Sequence, residues 1–151
     1  NNLESRAFDV INRAKTPVVK FDYKPSLLTP LNGGQTLCPS SLNGKRVLAV
    51  AGIANPESFF STLRELGAEL KYKPLWLEDL VAYSKADIVC IESLKKASSN
   101  AEMIITTEKD GVKLKGLSPE GLEIHALSID VSVNDAKAFE KTLAVFLKEG
   151  R

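Results

Sequence analysis

Val47-Leu48-Ala49-Val50-Ala51-Gly52-Ile53-Ala54-Asn55-Pro56 is the stretch from which the fold can be read. It opens on an unbroken apolar run of strand length, the pattern of a strand covered on both faces. Gly52 ends the run, Asn55 offers a side-chain cap, and Pro56 sits where a first helical residue needs no N–H. Phe59, Phe60, Leu63 and Leu66 then recur at helical spacing until Gly67. A buried strand that passes straight into a capped helix is a βα unit, and such units build a mostly parallel sheet with right-handed crossovers.

The same alternation continues on the C-terminal side. Residues 69–75 read as a strand. Ser84 and Asp87 have the spacing of a capping box, opening a helix whose apolar stripe is Ile88, Ile91 and Leu94 and which breaks at Ser98-Ser99-Asn100. Met103–Thr107 is a second buried strand that ends at Glu108-Lys109-Asp110, and residues 122–129 make another. Asn134 is expected to cap a last helix with Phe139, Leu143, Phe146 and Leu147 turned inward, ending at Gly150. On the N-terminal side, residues 5–14 read as a short helix, Pro17 stops it, and residues 18–23 look like a strand. Residues 24–39 have loop composition, with a short strand near residues 36–38 able to pair with the first. The expected division is a lead-in over 1–45, a helix and a strand pair, and an α/β core over 46–151.

Composition narrows the function. The chain has 151 residues, 16.4 kDa and a formal net charge of +1. That is one domain's worth of chain, and the charge balance argues against coating nucleic acid or an anionic membrane. Two cysteines and one histidine do not make a zinc site, so no metal site is expected, and a reduced cytosolic setting is the default. No apolar run approaches the ~20 residues of a membrane-spanning helix. The first residue is Asn1 rather than Met, from which the chain is expected to be part of something longer.

Several clusters invite a chemical reading. Gly44-Lys45 imitates the end of a P-loop, but Pro39 and Arg46 stand where that motif needs Gly and Ser or Thr, and a strand follows where it needs a helix. A phosphate cradle of that type is therefore not expected. The loop over residues 52–58 joins a strand's carboxyl end to a helix N-terminus, which suits either an anion or an ordinary βα connection. Thr106-Thr107-Glu108-Lys109-Asp110 gathers hydroxyls and mixed charges at another strand end, where ligands of such sheets bind. His125 is expected to be partly exposed beside Glu123, and Lys71-Tyr72-Lys73 with Trp76 reads as a strand edge rather than a nucleic-acid surface.

Residues 47–60, then Thr62-Leu63 and Leu66-Gly67-Ala68, resemble the C-terminal half of the tetraacyldisaccharide 4'-kinases of lipid A synthesis in Gram-negative bacteria. Thr107-Glu108-Lys109-Asp110-Gly111-Val112-Lys113-Leu114 is similar to that family's second signature. The resemblance implies a Rossmann-like, P-loop-kinase C-terminal portion and a lipid kinase that uses ATP and Mg²⁺ to phosphorylate the 4'-hydroxyl of a lipid disaccharide at the cytoplasmic face of the inner membrane. It implies a P-loop and metal-binding carboxylates in an N-terminal half of the same protein, so this chain alone should be inactive and bind no cofactor. Asp79 falls at the Asp of the family's Asp-His-His motif and is the catalytic candidate, whereas the catalytic His position is Leu80. Asn55, Thr107, Glu108, Lys109 and Asp110 are the candidates for lining the cleft or an interdomain contact. The alternative is a non-catalytic binding or regulatory module descended from that fold, for which Leu80 speaks.

Overall fold

The computed structural model describes residues 19–70, 75–76, 82–98, 101–117, 119 and 121–149. The elements are β1 (Phe21–Pro30), a 3-10 turn (Pro39–Leu42), β2 (Val47–Ala51), α1 (Pro56–Glu65), β3 (Leu75–Trp76), α2 (Lys85–Ala97), β4 (Met103–Thr107), α3 (Glu108–Leu114), β5 (Ile124–Val133) and α4 (Ala136–Glu149). The strands form one sheet in the order β1-β5-β4-β2-β3. The chain divides into two compact units, residues 25–130 and residues 1–24 with 131–151. The boundary expected at 45/46 falls inside the first.

In the larger unit, β2 is parallel to β3 and β4, and β4 is parallel to β5. Along β1 and β5 the contacts run in opposite order, Ser26 Oγ to the Ser128 carbonyl and Leu31 N–H to the Ile124 carbonyl, so the edge strand β1 is antiparallel. The fold is α/β with a mostly parallel sheet. Side chains of β2 alternate between two cores. Leu48 and Val50 join Ile88 and Ile91 of α2 and Leu114 of α3, while Val47, Ala49 and Ala51 join Phe59, Phe60 and Leu63 of α1. Helices thus cover both faces, which is why β2 is apolar at every position and buried throughout. Each fully buried Val, Leu or Ile contributes about 1.5–3 kcal/mol.

Caps set the helix starts. Asn55 accepts the Ser58 N–H at 3.3 Å with Pro56 behind it, and Ser84 and Asp87 form the reciprocal capping box. The 36–38 segment makes an antiparallel bridge, Leu37 to Leu28, with the part of β1 read as loop rather than with residues 18–23.

Several expectations are corrected. β1 continues to Pro30 through the stretch read as loop, because an edge strand tolerates the missing N–H of Pro25 and Pro30. Residues 108–114 form a helix, and β5 runs on to Val133. Of the strand expected over 69–75, Glu69 bridges Arg46 and Leu75–Trp76 is described, while residues 71–74, with the expected Lys71-Tyr72-Lys73 edge, lie outside the described residues. His125 is buried, since the face of β5 it shares with Leu127 is covered by the core that includes Phe59, Phe60 and Leu63 of α1. The predicted helix over 5–14 lies outside the described residues, as do Asp79 and Leu80.

In the smaller unit, the Asn134 N–H donates to the Lys20 carbonyl at 3.1 Å, and the rings of Phe21 and Phe139 meet edge to face at 6.0 Å. Asp135, not Asn134, caps α4, its Oδ1 accepting the Ala138 N–H at 2.9 Å. Leu143 and Leu147 are exposed rather than inward.

Candidate functional site

Parallel pairing places the carboxyl ends of β2 and β4 side by side, with Val50 level with Thr106. Gly52 follows β2, and α3 follows β4 without an intervening loop. Thr107 caps α3. Its hydroxyl accepts the Asp110 N–H at 3.1 Å and donates to Asp110 Oδ2 at 2.7 Å. The same Oδ2 accepts the Gly52 N–H at 2.8 Å. One buried carboxylate therefore ties the end of β2 to the start of α3.

Asp110 is fully buried, and its Oδ1 has no hydrogen-bond partner, the Lys113 ammonium standing 3.8 Å away. The Tyr83 hydroxyl is also buried without a hydrogen bond. A β-carbon on Gly52 would lie 3.0 Å from the Tyr83 hydroxyl and 3.1 Å from Asp110 Oδ1, so glycine leaves the space these two atoms border. Burial first, then the negative charge of Asp110, holds the Tyr83 phenol far above its ordinary ionisation range. Tyr83 is thus a neutral donor at physiological pH. Leaving such a hydroxyl unpaired costs about 1–3 kcal/mol.

The sequence candidates separate in space. Asp110 faces inward, Glu108 is exposed and accepts the Ser128 hydroxyl at 3.2 Å, and Lys109 is exposed. Asn55 caps α1. Thr106 is fully buried. The 52–58 loop is poorly suited to an anion: the Gly52 N–H is given to Asp110, the Ser58 N–H to Asn55, and Pro56 has none. The carboxylate beneath Gly52 would also repel a phosphate. Tyr83 is the participant the sequence reading did not single out. Its signal is its place just before the Ser84 cap, an aromatic with a polar tip at the entry to a helix that buries Ile88 and Ile91. A separate shallow groove of about 160 Å³, walled by Pro30, Leu31, Val112 and Ala126, has Glu108 and Lys115 among its lining residues.

The family model described as Tetraacyldisaccharide-1-P 4'-kinase matches residues 2–148. The chain belongs to the tetraacyldisaccharide 4'-kinase family. A tetraacyldisaccharide 4'-kinase of Syntrophus aciditrophicus is 37% identical over 135 residues, covering 89% of this chain and 36% of that protein. One from Pelobacter propionicus is 48% identical over 94 residues, 62% of this chain and 26% of that protein. One from Methylobacterium nodulans is 32% identical over 141 residues, 93% of this chain and 37% of that protein. The chain thus spans about a third of the curated family members it matches in the first and third of these. A crystal structure of an "apo" form LpxK from Aquifex aeolicus in complex with ATP is similar at 22% identity and a TM-score of 0.49, over 82% of this chain and 35% of that one. Both family signatures noted in the sequence, 47–60 and 107–114, meet at the Gly52–Asp110 bond.

Proposed function

We propose that this chain is the C-terminal portion of a kinase that transfers the γ-phosphate of ATP to the 4'-hydroxyl of the lipid A disaccharide precursor. The family match across residues 2–148 carries this reading. The described residues do not fit ATP and Mg²⁺ themselves. Gly44-Lys45 leads into β2, Lys45 is paired with Glu102 at 2.9 Å, and among the described residues no three His, Cys, Asp or Glu side chains converge as a metal set. The P-loop and metal carboxylates are assigned to an N-terminal half of the same protein, its partner in catalysis. The intact protein works on the lipid disaccharide from the cytoplasm, peripheral to the inner membrane, and takes no nucleic acid. Phosphoryl transfer is mainly positioning and electrostatics, so the present chain alone transfers nothing. Asp79 lines the cleft, and Thr107, Glu108, Lys109 and Asp110 organise it or the contact with the other half.

Leu80 favours a second reading, a non-catalytic module, because leucine cannot move a proton where the resembled family places its catalytic His. One assay separates the two. The intact protein should move labelled γ-phosphate from ATP onto a tetraacyldisaccharide 1-phosphate acceptor, slowly. Leu80→His should raise kcat by up to about 10²–10⁴-fold, the usual worth of general acid–base help, and leave the KM for ATP unchanged. A folded intact protein that transfers no phosphate, with or without Leu80→His, establishes the module instead.

A further inference from the structure

The two faces of α3 differ. Asp110, Gly111 and Leu114 are buried, whereas Glu108, Val112 and Lys115 follow at intervals of four and three positions and are exposed. Val112 breaks the usual pattern for an apolar residue, with 76% of its surface in solvent. It lies in the 107–114 stretch, and its neighbours Gly111 and Leu114 are accounted for by packing within this chain. Val112 is not. It forms a wall of the groove of about 160 Å³ that Pro30, Leu31 and Ala126 also line. That volume is close to the one an apolar cavity needs to hold a benzene ring, so the groove suits one Leu or Phe side chain. Its other lining residues include one charge of each sign, Glu108 and Lys115, about 10 Å apart along the helix axis. Among the described residues neither charge is ion-paired.

We propose that this groove is the seat of the remainder of the same polypeptide: one apolar side chain from outside residues 1–151 fills it against Val112, with a basic group beside Glu108 and an acidic group beside Lys115. The proposal rests on reading the chain as one portion of a longer protein, since it spans 36% and 37% of two curated relatives. A segment tethered to this chain meets the groove at an effective concentration of about millimolar, ahead of any free partner. Paired charges of opposite sign match a polypeptide, whereas an anionic bilayer would be repelled by Glu108. A single apolar anchor in a small groove with a charged rim is also how protein contacts concentrate their binding energy.

The test is photo-crosslinking in the intact protein, with p-benzoylphenylalanine at position 112 and, in a second variant, at position 115. Both positions are exposed, so either change costs this chain little stability. The expected product is an intramolecular crosslink to a segment outside residues 1–151, mapped by mass spectrometry after digestion. Its yield from position 112 should fall several-fold when Glu108→Lys and Lys115→Glu reverse both rim charges, and the fall should shrink in high salt. Crosslinks confined to residues 1–151 overturn the proposal. So do crosslinks to a second copy, crosslinks to the lipid of added phosphatidylglycerol vesicles without the intramolecular product, and no crosslink from either position. Crosslinking needs no catalysis. A protein that crosslinks as expected but transfers no phosphate keeps the docking and loses the kinase reading, and an active kinase without the crosslink does the reverse.

Discussion

His125 is 4% exposed on β5, its Nδ1 has no hydrogen-bond partner, and its Nε2 lies 3.4 Å from Glu123 Oε1. Burial lowers its pKa, and the Glu123 carboxylate opposes that only in part. The folded state therefore prefers the neutral ring, while the unfolded chain takes up a proton near pH 6.5. Its contribution is complete above that pH and is lost as pH falls through 6.5 toward the folded value. One proton bounds the slope at about 1.4 kcal/mol per pH unit. Urea unfolding at pH 7.5 and 5.5 should show a smaller loss in His125→Gln than in the wild type, and equal losses would show that His125 is not the titrating group. At this scale the sequence was readable only in part. Alternation paired His125 with Glu123 on an exposed face, but the alternation rule needs one wet face, and β5 has a strand on either side and helices above and below. Asp110 was named as a candidate from its place at a strand end. That its carboxylate reaches back 58 positions to Gly52 depends on the β2–β4 register, which no local pattern encodes.

Among the elements, α3 shows what sequence patterns carry and what they miss. Thr107-x-x-Asp110 has the same spacing as Ser84-x-x-Asp87, and both are caps in the structure. The second was read as a helix start because Ile88, Ile91 and Leu94 follow at helical spacing. The first precedes only seven helical residues interrupted by Gly111, too few for a stripe to show. Gly111 is there for space. A β-carbon would meet the Ala126 Cβ at 2.9 Å and a Leu31 methyl at 3.1 Å, so α3 lies directly against β5. Gly111→Ala gains about 1 kcal/mol of helix propensity, but overpacking against a Cβ that cannot rotate away costs about 1–3 kcal/mol. A net destabilisation is expected in denaturant unfolding, and a more stable Gly111→Ala would mean that α3 can lift from the sheet at little cost. Ser84→Ala, by contrast, loses a cap and should cost about 1 kcal/mol. β1 was cut short for a similar reason. Its prolines are turn signals in a central strand and unremarkable on an edge, and which strand is an edge is settled only when the sheet is assembled.

For the whole molecule, the α/β class followed from one buried strand running into one capped helix, because that unit admits few architectures. The units at 25–130 and at 1–24 with 131–151 are less legible, since the second joins segments more than 100 residues apart. Whether the 151-residue chain binds a nucleotide can be tested on the chain as a whole, and the described residues offer two places to consider. Gly44-Lys45 enters β2 with no helix N-terminus behind the lysine, and that lysine shares Glu102 with Arg46 at 2.9 and 3.2 Å. Such a surface pairing is worth at most about 1 kcal/mol and would not by itself keep a phosphate away. That Lys45 leads into a strand is the stronger reason, because a triphosphate is held mainly by N–H groups converging at a helix start. The alternative landing place, the start of α1, has its Gly52 and Ser58 N–H groups already bonded and a buried carboxylate under Gly52. A net charge of +1 gives no long-range attraction to compensate. Calorimetric titration of the 151-residue chain with ATP and Mg²⁺ should therefore show no saturable heat up to millimolar nucleotide, about −4 kcal/mol of binding at most. Micromolar, Mg²⁺-dependent binding would reverse that conclusion. If it were abolished by Asn55→Ala and spared by Lys45→Ala, it would place the nucleotide at the start of α1.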